Sequence, residues 1–411
     1  MKRYLLLLLL LSGTATLAQR KAVFIIVDGI PADVIEKLKP PVIQSIAGNE
    51  GYTRAYVGGM KGGYSQSPTI SAVGYNHVIT GTWTNKHNVW DNDIKEPNYY
   101  YQNVFRIVSE VKPALTTAVF STWLDNRTKL IGDGLPAAGN VHVDYAFDGY
   151  ELDTVRFPHT RDRKFISDID DLVVAEAAQT IATKAPDLSW VYLEFTDDMG
   201  HAFGDSPQFY DAIMAADQQI GKIWKAIQDR EKQYSEEWLL IITTDHGRTA
   251  SNGKDHGGQS DRERTTWIVT NAKNTNAHFK SLPGAVDIAP TLLRHLNITM
   301  PEAVKEEMDG IPLIGKVSVD NLKAIRKGRD VKLTWRKMPD ATGTAEVFVA
   351  DGNKFKTGGK DHYEKVATVD IVSGEASIKL PAPPKTGRKG DRIQKIILKT
   401  ADNWCNTWLV N

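Results

Sequence analysis

Five places along the chain put Asp, His or Ser where strand and turn texture alone would not demand them. Asp28 follows the apolar run AVFIIV and precedes Gly29. Asp197 and His201 follow WVYLEF, in T-D-D-M-G-H. Asp245 and His246 follow WLLIITT, in D-H-G. His256 lies in G-K-D-H-G-G, and Ser71 in S-P-T-I-S-A-V-G. Carboxylates and imidazoles together suit Zn²⁺ or a similar borderline ion. The set holds enough donors for two metals, and two cations ~4 Å apart clamp the attacking and leaving oxygens of an in-line displacement. One would make Ser71 an alkoxide nucleophile. The other would take charge from the leaving group or a non-bridging oxygen.

Such a set needs a scaffold that gathers distant segments. AVFIIV, Ala22 to Val27, reads as a strand buried on both faces. Leu115 to Phe120, Trp190 to Phe195, Trp238 to Ile242 and Thr266 to Val269 read as further strands. Helical stretches fall between them: Ala32 to Leu38, stopped by Pro40-Pro41, Leu172 to Ala185, Phe209 to Ile227, and Val286 to Leu296. Strand and helix in alternation predict an α/β fold, a mostly parallel sheet sandwiched by helices. Ligands in such sheets sit outside the carboxyl ends of the strands, where three of the five places lie.

After Ile314 the texture changes. Val331–Trp335, Ala345–Ala350, Val366–Ile371, Ala376–Leu380, Ile393–Leu398 and Trp408–Val410 are short runs of strand character between Gly and Pro clusters. They predict a small all-β sandwich of fibronectin type III-like pattern. The expected division is a leader at 1–18, a catalytic domain at 19–316 and the sandwich at 317–411.

The chain has 411 residues, 41% hydrophobic and 24% charged, enough for a large core plus a smaller module. Formal net charge is zero and no basic stripe stands out, which argues against a nucleic-acid partner. Met1-Lys2-Arg3, the run Leu5 to Leu11, and Thr16-Leu17-Ala18 before Gln19 have the order of a cleaved signal peptide. The mature chain is expected to be exported, periplasmic or secreted, and to lack a membrane span. Cys405 is the one cysteine, so no internal disulfide is expected, and its apolar surroundings suit a small buried residue.

These motifs together resemble the alkaline phosphatase superfamily, within it the type I phosphodiesterase / nucleotide pyrophosphatase-like branch. The resemblance covers roughly Lys21 to Gly315. It rests on Asp28-Gly29, D-x-x-G-H at Asp197, Gly200 and His201, T-D-H-G at Thr244 to Gly247, and His256-Gly257. Family members have a Ser or Thr nucleophile ten positions before the Gly of Thr-Gly; here Thr80-Gly81 selects Ser71 over Ser65, Ser67 and Thr69. They have an Asn that contacts the transferred group twenty-one positions after the nucleophile, which is Asn92. The resemblance implies two divalent ions, zinc foremost. Asp197, His201 and His256 would hold one. Asp28, Asp245, His246 and the Ser71 oxygen would hold the other. Asp198 is the shifted alternative to Asp197.

One departure bears on substrate. The phosphodiesterase branch follows its nucleophile with Phe-Pro-Asn-His, whereas Ser71 is followed by Ala72-Val73-Gly74. The expected substrate is a small phosphate ester, with diesters or nucleotide pyrophosphates ahead of monoesters. A monoesterase needs extra cations for its third phosphoryl oxygen, and Arg127, Lys129 and Lys254 are the candidates. A sulfatase is disfavoured because Ser71 lacks the downstream Arg that formylglycine formation requires. A binding protein that has lost activity is disfavoured because every expected ligand is present. His77, His87, His142, His159, His278, His295 and His362 match no ligand position and are expected at the surface or in packing.

Overall fold

The computed structural model describes residues 18–380 and 393–410. Apart from Ala18, the leader expected at 1–18 lies outside the described residues. Among the described residues no helix is long and apolar enough to cross a membrane.

AVFIIV decides the architecture. Ala22, Phe24 and Ile26 enter one hydrophobic cluster, while Val23, Ile25 and Val27 enter another on the opposite face. Both sides of the strand are therefore dry, and a continuous apolar run is required instead of an alternating one. The strands of this first unit are β1 (Gln19–Val27), β2 (Tyr52–Tyr56), β3 (Thr117–Ser121), β4 (Tyr145–Phe147), β5 (Leu188–Leu193), β6 (Glu236–Thr243) and β7 (Thr265–Thr270). They form one seven-stranded sheet in the order β2-β7-β6-β1-β5-β3-β4. The strands β6, β1, β5, β3 and β4 are mutually parallel. β7 runs antiparallel to β6, and β2 antiparallel to β7. Trp190 of β5 is fully buried and stacks on Phe24 of β1 at 5.7 Å between ring centroids. Truncating it to Ala would cost about 3–5 kcal/mol.

The flanking helices differ in detail from the sequence expectation. The helix expected at Leu172–Ala185 begins eight residues earlier and spans Lys164–Thr183. The strand expected at Trp190–Phe195 stops at Leu193, and Phe195–Phe203 is helical, so Asp197 and His201 ride on a helix. The stretch Val286–Leu296 divides into a 3₁₀ turn, Ala285–Asp287, and a helix, Ile288–His295. The long helix Pro207–Gln233 is capped by the Ser206 hydroxyl, which accepts from Phe209 N. Its buried Asp217 accepts from the N–H groups of Val42 (3.1 Å) and Ile43 (2.8 Å). That supplies the cap which Pro40 cannot give the helix Pro41–Ala47.

The second unit comprises β8 (Val319–Lys327), β9 (Asp330–Lys337), β10 (Thr344–Asp351), β11 (Glu364–Asp370), β12 (Glu375–Lys379), β13 (Ile393–Lys399) and β14 (Trp404–Val410). They make a four-stranded sheet, β11-β10-β13-β14, and a three-stranded sheet, β12-β9-β8, antiparallel throughout. A separate apolar cluster fills the space between them, and Cys405 is buried there. The sandwich is tied to the first unit by buried ionic groups. Lys86 Nζ is wholly buried and reaches Asp309 Oδ1 (2.7 Å), Glu307 O (2.7 Å) and Asn406 Oδ1 of β14 (3.1 Å). Lys395 of β13 pairs with Glu307 and Asp361.

Candidate active site

The carboxyl ends of β1, β5 and β6 meet because those strands are adjacent and parallel. Asp28 follows β1 directly. Asp245 and His246 follow β6. Asp197 lies in the first turn of Phe195–Phe203, where free N–H groups favour a carboxylate. His201 sits one turn on, its Nε2 3.2 Å from Asp197 Oδ2. His256 comes from the loop after β6, its Nε2 3.1 Å from His201 Nε2. Two groups emerge whose donor atoms all lie within 4.8 Å of one another: Asp197, His201 and His256; and Asp28, Asp197 and His246. Asp245 Oδ2 is 3.2 Å from His246 Nε2.

The imidazoles are oriented by their far nitrogens. His246 Nδ1 lies 3.0 Å from Gly247 O, and His256 Nδ1 lies 2.9 Å from Thr69 O. A carbonyl can only accept, so each Nδ1 carries the proton and each Nε2 keeps a free lone pair.

Two observations test whether cations fit here. Asp28 Oδ1 and Asp245 Oδ2 are buried with no hydrogen-bond partner. An uncompensated buried carboxylate oxygen is costly unless a charge answers it. The protonation tendencies agree. Burial, then the charges of Asp245 and Asp197, push Asp28 well up, and burial pushes Asp245 up to about 7. Burial and then the neighbouring His256 push His246 well down, leaving it a neutral ligand. The donors present fit divalent cations.

Ser71 opens the helix Ser71–Thr80, and its Oγ is 3.4 Å from His246 Nε2. Ile70 at the N-cap has no side chain that could cap. Asn92 does so from the following loop, its Oδ1 accepting from Ala72 N at 3.0 Å. Gly74 lies in the helix interior, where glycine is unfavourable. A Cβ there would stand 2.6 Å from Asp245 O and 2.8 Å from Asp245 Cβ. The departure Ala72-Val73-Gly74 thus brings the helix Ser71–Thr80 against the D-H-G turn. Of the competing hydroxyls, Ser65 Oγ accepts from Met60 N, and Thr69 Oγ1 is engaged with Gly257 and Gly258.

Several site residues had no sequence signal. Tyr75, one turn beyond Ser71, donates to Asp28 Oδ2, as does Tyr192 of β5 at 2.7 Å. Thr196 Oγ1 donates to Asp28 O at 2.5 Å. Arg248, next after D-H-G, is fully buried and pairs with Asp197 Oδ1. Burial alone would raise Asp197, but the hydrogen bond from His201 and the Arg248 charge outweigh it and hold its carboxyl low. Asp198, the shifted alternative, points to Arg163 instead, at 2.7 and 2.8 Å.

The candidate phosphate cations are engaged elsewhere. Arg127 forks onto Asp148 (2.6 and 2.9 Å) and reaches Asp133 (2.6 Å). Lys129 pairs with Asp125 at 2.7 Å, and Lys254 Nζ donates to Ala202 O at 3.0 Å. His77 and His87 are buried in packing. His278 departs from expectation. It is buried between Asp287 (2.9 Å) and Asp320 (2.6 Å), a partner supplied by the sandwich and invisible in local spacing.

The sequence profile of the type I phosphodiesterase / nucleotide pyrophosphatase family matches residues 22–368. A 2,3-bisphosphoglycerate-independent phosphoglycerate mutase from Natronomonas pharaonis is 27% identical over 170 residues, 40% of this chain and 32% of that protein. The match thus spans about a third of the length of this curated relative. Among solved structures, Ps i-CgsB in complex with k-i-k-neocarrahexaose superposes with TM-score 0.51 at 14% identity, covering 78% of this chain and 82% of that one. Murine ectonucleotide pyrophosphatase / phosphodiesterase 5 gives TM-score 0.47 at 14% identity, covering 68% of this chain and 96% of that one.

Proposed function

The chain belongs to the type I phosphodiesterase / nucleotide pyrophosphatase family, and on that premise we propose that it is a two-metal phosphoric ester hydrolase acting through a phosphoserine at Ser71. The observation that carries the reading is the pair of unpartnered oxygens, Asp28 Oδ1 and Asp245 Oδ2, beside His246 Nε2, which itself lies 3.4 Å from Ser71 Oγ. Asp197, His201 and His256 would hold one divalent ion, zinc foremost; Asp28, Asp245, His246 and Ser71 Oγ would hold the other. Bound there, the two cations would ease deprotonation of the serine and neutralise charge on the phosphoryl oxygens.

Ser71 Oγ would attack phosphorus while the bond to the leaving oxygen breaks, giving a serine-linked phosphate that keeps the substrate's second ester group. An alcohol is released from a diester or a phosphate from a nucleotide pyrophosphate, the leaving oxygen taking up the proton that the serine gave up. Water would then cleave the Ser71 Oγ–P bond. The helix that Ser71 opens directs its first N–H groups toward an anion. Asn92 takes one of them on Oδ1, which leaves its amide N–H₂ to donate to a non-bridging oxygen of the transferred group.

The substrates proposed are phosphodiesters or nucleotide pyrophosphates. What favours them over monoesters is that Arg127, Lys129 and Lys254 are each already engaged by protein acceptors, Arg127 by two carboxylates. Export belongs to the same proposal, through removal of 1–18. The catalytic unit is taken as 19–316 and the sandwich as 317–411.

The test compares kcat/KM for matched nitrophenyl phosphate monoester, phosphate diester and sulfate ester, alongside metal analysis. Diester preference with about two metals per chain supports the proposal. A pure protein that takes up no divalent ion and cleaves none of the three overturns it, and monoester preference overturns the substrate assignment alone.

A further inference from the structure

Arg248 has no exposed surface, and all its donors find acceptors. Nε donates to Gly29 O at 2.9 Å. Nη1 donates to Lys254 O at 2.9 Å and Gly253 O at 3.5 Å. Nη2 donates to Asp197 O at 2.8 Å and to Asp197 Oδ1. A buried guanidinium is tolerable only with such full satisfaction, and the rigid fork is what lysine lacks.

The acceptors are not scattered. Gly29 follows Asp28. Asp197 and His201 share one helix. Gly253 and Lys254 lead into His256. Arg248 itself follows Asp245-His246-Gly247. One cation therefore joins four of the five segments that carry the candidate metal ligands, all but that of Ser71. Two glycines record its position. A Cβ on Gly29 would stand 2.9 Å from Arg248 Nη2, and a Cβ on Gly200 would overlap the guanidinium outright. Gly200 is the glycine of D-x-x-G-H, so in this chain that motif leaves room for an arginine.

Asp197 is common to both ligand groups. Its Oδ1 is paired with Arg248, and its Oδ2 lies 3.2 Å from His201 Nε2. We infer that Arg248 is a positioning residue that confines Asp197 to a single metal-facing oxygen, so that its carboxylate cannot span the two cations with separate oxygens. The inference rests on the two-metal reading. Without the fork, Asp197 is free to rotate and offer both oxygens, and the separation of the two sites is lost.

Three variants test this. Arg248→Lys keeps a buried cation but cannot hold Oδ1 and four carbonyls together. Arg248→Met removes the charge. Gly200→Ala leaves the arginine in the chain but pushes it aside, and its unfolding is measured alongside so that affinity and spectrum are read on folded protein. Each is compared with the wild type for cobalt(II) affinity by chelator competition and for the visible absorption of the cobalt-loaded protein. Outer partners of metal ligands are typically worth about 10–100-fold in affinity. R248K and G200A are expected to weaken cobalt binding by about that range and to shift the d–d bands toward higher coordination. R248M is expected to be weaker still. R248K and G200A that bind cobalt with wild-type affinity and spectrum overturn the inference while leaving the two-metal reading intact. A wild-type chain that binds no cobalt overturns both.

Discussion

Tyr75 and Asp28 are joined by a hydrogen bond from the phenol to Oδ2, although one lies on the helix Ser71–Thr80 and the other at the end of β1. The bond fixes the helix that carries Ser71 relative to the strand that carries a candidate metal ligand. Tyr192 donates to the same carboxylate oxygen, and the two phenol oxygens lie 2.8 Å apart. Oδ1 is thereby turned toward His246.

Tyr75→Phe should therefore act on both stability and metal. A hydrogen bond to a charged group contributes about 1.5–3 kcal/mol, so denaturant unfolding of Y75F should show a loss of that size. Cobalt affinity should fall with it. Unchanged affinity would mean that Tyr192 alone holds Asp28.

Ser71→Ala should remove turnover, by on the order of 10³-fold or more, and abolish any acid-stable phosphoenzyme trapped on rapid quench. It should keep the metal, because the carboxylates and imidazoles supply the other donors. Mass spectrometry of quenched wild type and S71A decides this.

Metal removal should destabilise the protein. Asp28, Asp197 and Asp245 are buried together, and without a metal Asp28 and Asp245 are relieved only by taking up protons. A ligand at a hundredfold excess over its Kd stabilises by about 2.7 kcal/mol per site. Scanning calorimetry with and without chelator should show a lower Tm for the stripped protein, and Asp245→Asn should narrow the gap.

His278 gives stability a pH dependence remote from the site. Burial alone would lower its pKa, but Asp287 and Asp320 outweigh this and push it up to about 9 from an ordinary 6.5. A raised folded-state value means that the stabilisation is complete below 6.5 and is lost as pH rises through about 9. The shift corresponds to about 3 kcal/mol. Urea unfolding at acid-neutral and alkaline pH should show the loss in wild type and not in His278→Gln.

Arg127→Ala should leave the ratio of diester to monoester kcat/KM unchanged, because its guanidinium serves Asp133 and Asp148. Its effect should be lower stability around the π-helical turn Asn126–Ile131. Selective loss of monoester cleavage would assign it to the substrate.

Legibility in the sequence followed locality. Asp28 and Asp245 could be read because each ends an apolar run, and the strand order did the rest. Ser71 could be read because two spacings converge on it. Tyr75, Tyr192 and Arg248 could not, because their partners lie on other strands and helices. The antiparallel course of β7 was hidden, since an apolar run carries no direction. β8 was missed because its Val319–Lys327 pattern alternates weakly, with a shifted register between Asp320 and Lys323. His278 looked unpartnered for the same reason as Tyr75: Asp320 is distant in the chain and close in space.

The socket around Lys86 has a consequence for the order in which the molecule can mature. Its wall is Glu307 and Asp309, but its lid is Asn406 and Trp408, the former 320 residues downstream. A ribosome delivers β14 long after the helix Ser71–Thr80 has emerged. Until then a lysine only six positions past that helix sits beneath an open roof. The first unit can collapse early, but this socket cannot close until β14 arrives.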